Sequence, residues 1–201
     1  MQGIGIASLV ILVSNIGLSL AGLFVAPRLI ELCLFRPYEF AQGRRRATLV
    51  TSGFVHADLP HLLFNMVTFW YFGVPLERRI GTPAFVLLYA AGLLLSQYGS
   101  YRKHREDPGY ATLGASGAIS AVLFAYIVYW PTHSLYMFFI PVPIPAPLFG
   151  VLYLAYTMWS ARQNRGRINH DAHLGGALTG LAFGAIFDPA ACARAWELVV
   201  G

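Results

Sequence analysis

Charge is scarce in this chain: only 11% of its 201 residues are Asp, Glu, Lys or Arg, against about 25% in an average soluble protein. With 57% hydrophobic residues and a mean hydropathy of +0.58, this excludes a soluble domain, a disordered chain and a coiled coil. Cysteine is also scarce. Cys33 and Cys192 are the only two, which excludes a disulfide-stapled scaffold and leaves the redox compartment undetermined. There is no internal repeat and no low-complexity tract. The formal charge of +5 comes from basic residues scattered over loops, not gathered on one amphipathic face, so nucleic acid is not expected as a partner. At about 20 apolar residues per membrane span, six helices consume about 120 positions and leave no room for a soluble domain.

What is present is a succession of apolar stretches separated by charged turns. Residues 3–26 carry no charge and are bounded by Pro27 and Arg28. No Lys or Arg precedes Arg28, so this stretch is expected to be a helix and not a secretory signal. Residues 28–46 form a polar, basic first loop. Further spans are expected near residues 59–76 and 82–101, each closed by charges. No charged residue occurs between Asp107 and Arg162. Trp130-Pro131 and the alternating Pro141, Pro143, Pro145 and Pro147 divide that run into spans near 114–130 and 147–160, with an extended connector between them. After a short basic loop over 162–169, the last span at 172–187 reaches only about 24 Å, so one end should start below the membrane surface. The expectation is one all-α membrane domain over 1–201, a six-transmembrane-helix bundle.

Polar groups retained in such a chain mark function or interhelical hydrogen bonds. Three clusters stand out. His61 and Asn65, four apart at the start of the second span, share a helix face and can aim hydrogen bonds at one point; a simple interhelical contact would explain them equally well. Gly114-Ala115-Ser116-Gly117 opens the fourth span. A serine in a first helical turn has free backbone N–H groups beside it, although the string alone fits a small-residue packing face with Ser120 and Ala121. His173, Gly176, Gly180 and Gly184 lie on one face of the sixth span. Close helix packing explains those glycines but leaves the histidine at the membrane end without a purpose.

Together the clusters supply a nucleophile, a base and oxyanion donors, the complement acyl transfer requires. Here the chain resembles the rhomboid family of intramembrane serine proteases. The resemblance rests on His61-x-x-x-Asn65, Gly114-x-Ser116-Gly117 and Ala172-His173-x-x-Gly176-x-x-x-Gly180, with Glu77-Arg78-Arg79 after the second span. It implies a Ser116–His173 dyad, with Ser116 as nucleophile and His173 as general base. It implies an oxyanion site from the Ser116 N–H, His61 and Asn65, and close packing at Gly117, Gly176 and Gly180. Asp171, two residues from His173, points away on a helix and is not assigned as an orienting carboxylate. Substrates would be transmembrane segments that unwind near the surface. Membrane lipid is the other partner, no metal or organic cofactor is implied, and the location would be a bacterial inner membrane.

The chain departs from the family pattern in places. The aromatic residue often found four positions after the serine, packed on the histidine, is Ser120 here, so the imidazole must be oriented otherwise. A first-loop Trp-Arg pair is replaced by Ala47-Thr48. His170 is an extra ionisable group, read as a solvated loop histidine in preference to a pH modulator. Eleven of the Lys and Arg residues lie in loops on the side of Ser116, namely Arg28, Arg36, Arg44, Arg45, Arg46, Arg102, Lys103, Arg105, Arg162, Arg165 and Arg167. The positive-inside rule would therefore put that side in the cytoplasm; the resemblance implies the opposite arrangement, and the orientation is left open between the two. Two other readings compete. One is a catalytically silent rhomboid-like protein that binds membrane helices. The other is a metal site or transporter built from His56, Asp58, His61, His170 and His173.

Overall fold

A computed structural model describes residues 3–137, 140–163 and 169–200. The chain opens with α1 (Ile6–Leu20), which continues as a π turn over Ala21–Val25. The first backbone N–H groups of a helix lack intrahelical acceptors, and here a distant carboxylate serves them. Glu77 Oε1 accepts the Ala7 N–H at 3.0 Å and Oε2 the Ser8 N–H at 2.7 Å, while Thr82 Oγ1 donates to Oε1 at 2.7 Å. Glu77 is thereby buried with its charge compensated.

The first loop is partly helical: α2 (Arg28–Cys33), α3 (Pro37–Ala41), α4 (Thr48–Thr51) and a 3-10 turn at Ser52–Phe54. Phe35 and Thr112 exchange both backbone hydrogen bonds at 3.0 Å, which ties this loop to the segment leading into the bundle's central helix. Two long helices follow, α5 (Leu59–Ile80) and α6 (Thr82–His104). The Asp58 side chain caps α5 by accepting the His61 N–H at 2.8 Å, and Pro60 occupies its first turn; both favour a helix start. Then come α7 (Ser116–Tyr129), an antiparallel hairpin of β1 (Ser134–Met137) and β2 (Ile140–Pro145), α8 (Ala146–Gln163), α9 (His170–Phe187) and α10 (Pro189–Val200).

Helix α7 is apolar all round and is buried at Gly117 through Ala125, Ile127 and Val128. A helix hydrophobic on every face belongs at the centre of a bundle, and α7 packs against α5, α6 and α9. The main core joins Phe69, Phe85, Leu88, Ala118, Val122 and Phe183. The α7–α9 contact is close because it is made of backbone. A Cβ on Gly176 would run into the Gly117 carbonyl oxygen, and one on Gly180 into that of Ala121.

Six helices of 14 residues or more occur among the described residues, at the places expected for the six spans. Two of them, Ile6–Val25 and Thr82–His104, are long and apolar enough to cross a membrane by length and composition; a third qualifies if α9 and α10, bent by 119°, form one broken span. The expected count of six is not reached on that basis: α7 has only 14 residues, and α5 and α8 are long enough but not apolar enough. Other boundaries shift as well. The fourth span begins at Ser116, not 114. The proline-rich connector is a paired hairpin, with Leu135 opposite Ile144 and Tyr136 opposite Pro143, so the all-α description needs that amendment. The sixth span begins at His170, where Asn169 Oδ1 accepts the Ala172 N–H at 3.0 Å. Helix α10 was not anticipated. Of the expected basic loop over 162–169, Arg165 and Arg167 lie outside the described residues.

Candidate active site

The site is assembled where α5, α7 and α9 begin. Ser116 is the first residue of α7, so its backbone N–H has no intrahelical acceptor. The turn before it depends on Gly114, at φ +111°, a conformation open to glycine and rarely to other residues. The Gly114 N–H donates to the Ser52 carbonyl at 2.8 Å, fixing the turn to the first loop. Glycine is needed there for space too. A Cβ on Gly114 would lie 2.7 Å from His61 Cε1 and 2.8 Å from Nε2. The imidazole of His61 thus sits directly against the turn that presents Ser116.

His173 lies in the first turn of α9. The same small residues bring it to α7: a Cβ on Gly117 would be 3.4 Å from the Ala172 carbonyl oxygen. The direct neighbours of Ser116 and His173 are therefore in contact across the two helices. Among the described residues no hydrogen bond joins Ser116 to His173. Asn65 is buried, and its Nδ2 donates to the His61 carbonyl at 2.9 Å. One of its two amide hydrogens is thus engaged within α5, which leaves one for the shared point expected of the pair.

Two further side chains complete the surroundings: Tyr153, which the sequence did not single out, and His56, named there only as a metal-ligand candidate. Tyr153 of α8 places its ring near-parallel to that of His173, at 23° with centroids 6.4 Å apart, and its hydroxyl lies 2.9 Å from Ser120 Oγ. His56 is fully buried, edge-on to His61 with centroids 4.9 Å apart, and its Nδ1 pairs with Ser19 Oγ at 2.9 Å. Burial pushes His56 down to about 3, the nearby His61 adds to that and Asp58 opposes it; the ring is neutral at any ordinary pH. Its position five residues before His61 was the available signal. For Tyr153 there was none, because it lies within an unbroken apolar stretch.

His170 differs from expectation. It is the first residue of α9, not a solvated loop residue. It is buried edge-on to Tyr156 and lies 6.0 Å, centroid to centroid, from His173. Asp171 turns away from His173, as expected, and pairs with Lys103 Nζ at 3.1 Å. The same ammonium donates to the Ala161 carbonyl of α8 at 2.7 Å. Asn169 Nδ2 donates to Ser100 Oγ at 2.8 Å and Thr112 Oγ1 at 3.1 Å. Together these bonds pin the start of α9 to α6, α8 and the segment before α7. Among the described residues no group of three or more His, Cys, Asp or Glu could hold a metal ion, so the five residues proposed for a metal site are not brought together.

The structure thus brings together the starts of α7 and α9, which carry Ser116 and His173, with the His61 imidazole against the turn before Ser116. Comparison with known proteins identifies the family. The rhomboid domain model matches residues 43–189. The chain is 32% identical over 154 residues to RHOMBOID-like protein 12, mitochondrial, of Arabidopsis thaliana, covering 69% of this chain and 45% of that protein. It is 32% identical over 146 residues to Rhomboid protein 1, mitochondrial, of Saccharomyces cerevisiae, covering 69% and 41%. It is 33% identical over 142 residues to Rhomboid-related protein 1 of Caenorhabditis elegans, covering 65% and 37%. This chain belongs to the rhomboid family, a family of membrane proteins that includes serine proteases. It spans less than half the length of these relatives. Two of the three are named as mitochondrial, so they lend no support to a bacterial inner membrane.

Proposed function

We propose that this chain is an intramembrane serine protease that cleaves peptide bonds in or near transmembrane segments, with α1, α5, α6, α7, α8 and α9 as its six spans. The observation that carries the reading is the backbone contact at Gly117, Ala172 and Gly176, which sets Ser116 and His173 on facing first turns. Ser116 Oγ attacks the scissile carbonyl carbon while His173 takes the hydroxyl proton. The carbonyl oxygen gains negative charge and is met by the Ser116 N–H and by hydrogens on His61 and Asn65. The C–N bond then breaks, His173 returns the proton to the leaving amine, and Ser116 is left acylated. Water adds to the acyl carbon with His173 again as base, releasing the new carboxyl group and the free serine. Each oxyanion donor is worth about 3 kcal/mol of the barrier.

Hydrolysis in a bilayer needs a water-filled cavity. The short central helix supports one: 14 residues rise about 21 Å, against about 30 Å of hydrocarbon. Helices α5 and α8 flank the site without packing closely on each other, which suits the approach of an unwinding substrate from the membrane.

The second reading is a silent relative that binds membrane helices. It is favoured by the absence, among the described residues, of a Ser116–His173 hydrogen bond, although such bonds often tighten only once substrate is bound. The two readings separate with a tagged transmembrane reporter. The protease cleaves it, and Ser116→Ala and His173→Ala each abolish cleavage; a silent protein leaves it intact and co-purifies with it. A chelator leaves cleavage unchanged.

A further inference from the structure

We infer that α10 is an interfacial helix, lodged in the headgroup layer on the membrane face opposite Ser116, with a lipid surface as its partner. The break before it is a built corner. The Asp188 N–H donates to the Gly184 carbonyl at 2.9 Å and closes α9, while its carboxylate accepts the Ala191 N–H at 2.9 Å and opens α10. Pro189 forces Asp188 out of the helical conformation, to φ −146° and ψ 74°. The two helices meet at 119°, so α10 runs closer to perpendicular than parallel to α9. From His173 to Asp188 the helix rises about 22 Å, less than the hydrocarbon thickness of about 30 Å. With the corner at one headgroup layer, α10 lies along that surface and His173 sits several ångströms inside the other.

The faces of α10 agree with this placement. Ala191 is buried and Cys192 and Ala195 are half-buried, on a helix packed against α7, α8 and α9. Trp196 and Leu198 are 64% and 56% exposed, and α9 also exposes the apolar Leu178, Ile186 and Phe187. A soluble surface would leave these side chains in water; the boundary between headgroups and acyl chains accepts them, and tryptophan is enriched there. Arg194 is exposed on the same helix, and Arg79 at the end of α5 lies 5.8 Å over the ring of Tyr129 at the end of α7. Arg79 and Arg194 complement anionic headgroups at this level, partly offset by the exposed Glu197 of α10. The lodged helix therefore fixes the depth of α9 and, through it, of His173.

The test uses the full chain with Cys33→Ala and Cys192→Ala, spin-labelled at Ala193→Cys, in nanodiscs of phosphatidylcholine containing phosphatidylglycerol. Accessibility to oxygen and to a water-soluble nickel chelate reads the depth. The expected label lies just below the phosphate level, with nickel accessibility about fivefold below that of the same label at Asp107→Cys. Adding Trp196→Glu and Leu198→Glu moves it out toward water. Three results overturn the inference: nickel accessibility equal to that at Asp107→Cys, a depth at the bilayer midplane as a broken span requires, or a depth unchanged by the two glutamates. None of these readouts depends on catalytic activity.

Discussion

The hydroxyl of Tyr153 on α8 lies 2.9 Å from Ser120 Oγ on α7. That bond holds a ring that also packs against Phe124 and Phe149, with centroid separations of 5.4 and 6.0 Å, and that lies 6.4 Å from the His173 ring. The serine that stands where the family often has an aromatic residue thus anchors an aromatic ring supplied from a different helix. Orientation of the imidazole is the role this arrangement supports.

Tyr153→Phe keeps the ring and removes the anchor, and is expected to lower reporter cleavage two- to fivefold. Tyr153→Ala is expected to lower it about tenfold or more, equivalent to ~1.4 kcal/mol in the barrier. Cleavage rates at saturating reporter check this, since a misoriented base lowers kcat more than it raises KM. Equal rates for wild type and Tyr153→Ala would remove Tyr153 from the account.

The α7–α9 contact predicts a graded series. Gly176→Ala and Gly180→Ala push a methyl group into backbone carbonyls, which cannot swing aside; a loss of about 1–3 kcal/mol or more is expected for each. Gly184→Ala meets the Val128 side chain, which can adjust, and should cost less. At Gly17, inside α1, nothing lies within 4 Å, so Gly17→Ala should raise stability by about 0.5–1 kcal/mol. Thermal unfolding in detergent ranks the four.

Glu77 connects α5 to the start of α1 over 70 positions of sequence. Glu77→Ala would leave the Ala7 and Ser8 N–H groups without their acceptors, each unsatisfied buried donor costing about 1–3 kcal/mol. Glu77→Gln retains one acceptor oxygen and should lose less. The same unfolding measurement distinguishes them, and equal stability for Glu77→Ala and wild type would show that the contact contributes nothing.

What was legible in the sequence was what short spacing encodes. Ser116 and His173 could be marked because glycines at fixed intervals surround them, and the structure uses those glycines for close approach. The order of long helices followed from the charged turns and, between Asp107 and Arg162, from the prolines that divide an uncharged run. Contacts between distant positions were not legible. Tyr153 reaches Ser120 across 33 residues, and nothing in its apolar surroundings sets it apart. Asn65 was read as free to donate because sequence spacing does not show that its amide turns back onto the His61 carbonyl. The prolines of β2 signalled extended chain, but its pairing depends on the unremarkable residues Ser134 to Met137. Helix α10 was missed because its break from α9 depends on Asp188 serving both helices.

His56 makes stability sensitive to acid. Burial holds its folded value near 3, against about 6.5 in an unfolded chain. The contribution is complete above the unfolded value and is lost as pH falls from about 6.5 toward 3, because the unfolded state then takes up a proton that the folded state refuses. Thermal unfolding should therefore weaken between pH 7 and pH 4.5, and His56→Gln should flatten that component of the profile. An unchanged slope in the variant would contradict a buried neutral ring.

The central claim is that Ser116 is a nucleophile activated by His173. Its most direct test is labelling of the purified protein with a fluorophosphonate, followed by mass spectrometry of the modified peptide. The account predicts one adduct on Ser116, absent in Ser116→Ala and strongly reduced in His173→Ala. A folded wild-type protein that takes up no label, or labelling that persists in Ser116→Ala, would contradict it.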